Sequence, residues 1–95
     1  MAEMSESELS FTAFVLSLAS TAAIHFGDLA DPESGQRAEP NLEGARQMIE
    51  ILGLIEQKTR GNLTAEERQV LEQVLYELRL RFVDAASGGK RIIVP

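Results

Sequence analysis

Residues 11–27 read FTAFVLSLASTAAIHFG, a run without formal charge when His25 is neutral. The run is a few residues short of a membrane-spanning helix and is interrupted by Ser and Thr, so it reads as a helix inside a protein core. Ser10 offers an N-cap oxygen and Gly27 a stop, which places this helix over residues 10–26. Phe11, Phe14, Val15, Leu18, Ala22 and Phe26 recur at helical spacing as its main apolar stripe. Leu16 and Ile24 lie off that stripe. The opposite side carries Ser17, Ser20 and Thr21, small and uncharged, where a helix facing open water normally carries Lys or Glu. The alternatives are a mildly polar outer face and a second contact surface, and the second is the expectation. Either way, the helix needs neighbours.

The remaining sequence supplies two longer helices. The first runs over residues 42–60: Asn41 is a good N-cap and Glu43 suits the positive end of the helix dipole. Leu42, Ala45, Met48, Ile49, Leu52, Ile55 and Thr59 share one face, with Ile51 beside it and Leu54 further round. Gly61 ends the helix after Lys58 and Arg60. The next helix begins at a capping box, Thr64 with Glu67, preceded by Leu63 as a hydrophobic staple. It extends to Ala86 and stops at Ser87, Gly88 and Gly89. The joint between the two, residues 61–63, is short enough to favour an antiparallel hairpin. The last helix has two stripes. Val70, Leu71, Val74, Leu75, Leu78 and Phe82 form one; Tyr76, Leu80 and Val83 form another on roughly the opposite side. One hairpin partner covers only the first, so the second is covered by the N-terminal helix or by a second copy of the chain.

The expected fold is therefore all-α: a short apolar N-terminal helix and a long antiparallel helical hairpin, completed by dimerisation. Residues 10–86 form the single domain, with a disordered acidic segment at 1–9 and a flexible tail at 87–95. Lys90, Arg91, Ile92, Ile93, Val94 and Pro95 make that tail basic, then β-branched; it is expected to fray, with docking onto the helices as the alternative. Residues 27–41, GDLADPESGQRAEPN, read as a loop with turn chemistry at Asp31–Gly35. Its length suggests a crossover along the bundle.

A chain of 95 residues has a core that supplies only a few kcal/mol. It contains no cysteine and one histidine, so disulfides, thiolate metal sites and a multi-histidine metal site within one copy are excluded. Oligomerisation is the reinforcement left open. The net charge of −6 repels phosphate backbones and anionic membranes at long range. The acidic N-terminus lacks the positive region of a signal peptide, and the expected location is the cytoplasm.

Chemistry-bearing residues are few. His25, at the end of the first helix, is followed by Asp28, Asp31 and Glu33, and a His–Asp pair is a possible general base. The same residues serve helix capping and turns. The three carboxylates do not match an EF-hand loop. Glu50 and Glu56 stand roughly 120° apart round their helix, so they do not form one site, and no Glu-x-x-His motif occurs. Arg68, Arg79 and Arg81 suggest a basic stretch, but Glu72 and Glu77 interleave with them, and Arg68 with Glu72 is an i, i+4 pair. Gly44 and Gly53 lie inside a helix, where each costs nearly 1 kcal/mol relative to alanine; a close crossing at Gly53 would account for one of them. No phosphate-cradling glycine loop is present.

Several blocks in order carry a resemblance: LSFTAFVLSLAS at 9–20, HFG at 25–27, DPESG at 31–35, ARQ at 45–47 with Ile49, LGLIEQKTRGNLT at 52–64 and LYELRLRFV at 75–83. Through them the chain resembles an uncharacterised bacterial family, the domain of unknown function DUF1844, over residues 8–84. The resemblance implies that the loop and the Lys58–Thr64 turn belong to the family form. It brings no activity and no site residues.

These readings assign no catalytic, cofactor-binding or metal residue and lean away from an enzyme. The leading expectation is a non-catalytic helical interaction or structural module that self-associates as a homodimer, with another protein as a further partner. The alternatives are a small enzyme or ligand-binding protein using His25 and the Asp28–Glu33 loop at a subunit interface, and a nucleic-acid accessory protein using Arg79, Arg81 and Lys90–Arg91. Nucleic acid and membrane are not expected as partners.

Overall fold

The structure is a computed structural model describing residues 10–37 and 39–88. The expectations for residues 1–9 and 89–95 lie outside the described residues. Three helices make up the fold: α1 (Phe11–Phe26), α2 (Leu42–Thr59) and α3 (Ala65–Ala86).

Each helix begins and ends through local chemistry. The Ser10 side chain accepts the Ala13 N–H at 3.0 Å. At the other end Gly27 takes φ 83°, the left-handed conformation that a Cβ disfavours. Its N–H donates to Ile24 and that of Asp28 to Ala23, the paired bonds of a Schellman ending. Asn41 caps α2 through its side-chain oxygen, 3.0 Å from the Gly44 N–H. The capping box of α3 closes in both directions: Glu67 N–H to Thr64 Oγ1 at 3.0 Å, and Thr64 N–H to Glu67 Oε1 at 2.9 Å.

The core lies where the three helices meet. Val15, Leu52, Leu71, Val74 and Leu75 form one buried cluster, and Ala22, Phe26, Ala45 and Met48 a second. Leu18, Ile49 and Leu78 pack against both and join them. Every buried residue belongs to a stripe read from the sequence. Phe14 is the exception in the other direction: it belongs to the expected α1 stripe yet is 50% exposed. It stands about 100° round the helix from Val15, at the stripe's edge, in an open groove beside α2.

The loop does not span the bundle as a crossover. The Asn41 N–H donates to the His25 carbonyl at 2.6 Å, so the segment leaves α1 and rejoins the fold where it left. It is a closed excursion of the Ω type. Its tip is held by Asp31, whose side chain accepts from the Glu33 N–H at 2.9 Å and whose carbonyl accepts from Gly35 at 2.7 Å. Fully buried Ala22 and Ala45 let α1 and α2 come close behind this closure.

Candidate interaction surface

Two stripes on α3 follow from one helical repeat, and only one of them is covered. α1 packs on the first: Val15 shares a buried cluster with Leu71, Val74 and Leu75. The second remains open, with Tyr76 61%, Leu80 53% and Val83 61% exposed. These side chains line a groove of about 380 Å³ together with Glu56 from α2 and with Glu72 and Arg79. Gly53 of α2 borders the same region: a Cβ placed there would lie 3.7 Å from Arg79 Nη2. Apolar groups at water contact forgo part of the roughly 1.5–3 kcal/mol that full burial of each would bring, so covering this groove would be favourable.

Two further surfaces expose apolar side chains. Phe14 and Leu54 meet in a groove between α1 and α2 with Phe11, Ile55, Lys58 and Thr59. Leu16 faces Val70 and Val74 between α1 and α3, where Glu66 and Glu77 supply the charge. The small-residue side of α1 is exposed, and its hydroxyls are occupied: Ser17 donates to the Phe14 carbonyl and Thr21 to that of Ser17.

The loop carboxylates are engaged elsewhere than at His25. Asp28 holds Arg81 through two hydrogen bonds of 2.7 Å each, and Asp31 caps its own turn. Among the described residues no three His, Asp or Glu side chains gather as a metal site. His25 itself packs over Gly44. A Cβ on Gly44 would stand 2.8 Å from His25 Nδ1 and 2.9 Å from both His25 Cε1 and Asn41 Nδ2. The glycine inside α2 thus makes room for the imidazole at the loop's closure.

The arginines do not present a common basic face. Arg81 lies 5.0 Å over the Phe26 ring and also approaches Asp84 at 3.5 Å. Arg79 stands beside Glu56 and Glu72, and Arg68 lines a pocket with the same two carboxylates. Lys90 and Arg91 lie outside the described residues. The Arg81 bridge to Asp28 joins segments far apart in the chain, and no periodicity announces it. Arg46 bonds Glu43 and Glu50 along α2, at the three- and four-residue spacings of one helix face.

The Arg81 hydrogen bonds hold the Asp28 carboxyl below the usual carboxylate range, against the opposing effect of partial burial. A lowered folded-state pKa stabilises above the unfolded value, and that stability is lost as pH falls through the folded value. Asp28→Asn is therefore expected to cost about 0.5–1 kcal/mol at neutral pH, the discounted worth of a partly exposed ion pair. The difference from wild type should vanish in acid. Urea unfolding at pH 7 and at successively lower acidic pH checks it; a cost that does not shrink as the pH falls would contradict the bridge.

A family model described as a domain of unknown function (DUF1844) matches residues 8–84. No curated protein and no solved structure matches the chain. The chain belongs to the DUF1844 family.

Proposed function

We propose that the chain is a non-catalytic helical interaction module acting through self-association as a dimer. The observation that carries the reading is the open second stripe of α3, with Tyr76, Leu80 and Val83 each more than half exposed. A small core has little stability to spare, and covering these groups adds to it. Residues 10–86 are the folded module in this reading. Within it α2 and α3 form an antiparallel hairpin. Arg60 shares a pocket with Arg68, Glu56 with Glu72 and Tyr76, and Gly53 approaches Arg79, so positions rising along one helix meet positions rising backwards along the other.

No described helix is long and apolar enough to cross a membrane, and the cytoplasm is the location this reading adopts. The reading as a ligand site loses support because Asp28 is committed to Arg81 and Asp31 to its turn. The nucleic-acid reading loses support because carboxylates flank Arg79 and Arg81.

Two substitutions test the function. Leu80→Glu is expected to weaken self-association at least tenfold. Gln69→Glu, exposed on the α1–α3 side of the same helix, is expected to leave it within about twofold. Sedimentation velocity of both variants reads the comparison, and equal dissociation would remove the α3 stripe as the contact.

A further inference from the structure

The geometry points to the α2–α3 face as the seat of a second copy of this chain, with Arg79 of each copy set against Glu56 and Glu72 of the other. The inference rests on the self-association proposed above and adds which face is used and what pairs across it. Two copies each carrying −6 repel, and at physiological salt only charges within roughly 8 Å of the contact decide where they meet. The α1–α3 groove carries Glu66 and Glu77, so a second copy is repelled there. Around the α2–α3 face, Glu56 and Glu72 are matched by Arg60, Arg68 and Arg79, and this face carries both signs.

The charged side chains differ in whether they are paired within the chain. Arg46 and Arg81 have their carboxylates within the chain. Arg79, Glu56 and Glu72 make no ion pair among the described residues. They rim an apolar groove. A two-fold axis through this groove makes the contact isologous, and each bridge then occurs twice.

Gly53 marks the same face. A helix-interior glycine costs nearly 1 kcal/mol against alanine, and His25 explains this at Gly44 only. At Gly53 an added Cβ meets nothing closer than Arg79 at an ordinary contact distance of 3.7 Å. The space it leaves is on the outside of the chain, where a neighbouring helix can approach. The face approaches the size of a standard interface. α2 has 18 residues, giving a two-helix surface about 27 Å long and about 20 Å wide. That is roughly 500 Å² in projection, and more as a corrugated surface, against about 800 Å² per partner in a standard interface.

A charge exchange tests the pairing on the full chain. Arg79→Glu, and separately the double variant Glu56→Arg with Glu72→Arg, are each expected to self-associate at least tenfold more weakly than wild type. Mixing the two should restore a heterodimer of near wild-type affinity, read by sedimentation velocity with one variant fluorescently labelled. Circular dichroism of each confirms that these surface changes leave the helices intact. As a variant without charge, Gly53→Leu is expected to weaken association at least tenfold while its melting temperature in dilute solution does not fall. Variants that dimerise as wild type does, or a mixture that stays apart, would overturn the assignment of this face and leave self-association standing. A wild-type chain that is monomeric throughout would overturn self-association itself.

Discussion

Leu71→Ala is expected to lower the unfolding free energy by about 2–5 kcal/mol, the range for emptying a fully buried leucine site. Leu71 has no exposed surface and lies in the cluster that Val15 and Leu52 share with it. All three helices therefore lose contacts at once. A domain this small has only a few kcal/mol to lose, so the variant should be largely unfolded at 37 °C. Urea titration followed by circular dichroism measures the loss. A cost below about 1 kcal/mol would mean that Leu71 is not where the three helices meet.

Gly44→Val is the second large effect, and its cause is different. A Cβ at Gly44 falls 2.8 Å from His25 Nδ1 and 2.9 Å from Asn41 Nδ2, closer than packed atoms tolerate. The ring and the N-cap amide both have to move, and with them the closure between the His25 carbonyl and the Asn41 N–H. Overpacking of this kind costs about 1–3 kcal/mol. The diagnostic result is the coupling: in a His25→Ala background the valine should cost much less, by at least about 1 kcal/mol in a double-mutant cycle. Additive losses would show that the imidazole is not what the glycine accommodates.

What the sequence disclosed and what it withheld divide along physical lines. Helix ends are local, and so Ser10, Asn41 and the Thr64–Glu67 box announce their helices within a few residues. Stripes are nearly as local. The two faces of α3 follow from a 3.6-residue repeat, and they separate buried Leu71, Val74 and Leu75 from exposed Tyr76, Leu80 and Val83. Phe14 shows the limit, because a stripe edge is decided by how far a neighbouring helix reaches. The loop's path was less legible still. Its length alone suggested a crossover, whereas the hydrogen bond from Asn41 to His25 returns it to its origin. The Asp28–Arg81 bridge and the His25–Gly44 packing join residues brought together only by the tertiary fold, and composition carries no trace of either. Of the candidate interface, the apolar stripe and the oddity of Gly53 were readable; that Arg79 shares a groove with Glu56 of α2 required the placement of α2 beside α3.

The central claim is that this module works as a pair of identical chains. Light scattering coupled to size separation, carried through serial dilution from hundreds of micromolar to below one micromolar, tests it most directly. A mass near twice the 10.4 kDa of one chain at the upper concentrations, falling toward that of a single chain on dilution, is the predicted result. A mass of one chain at every concentration would contradict it.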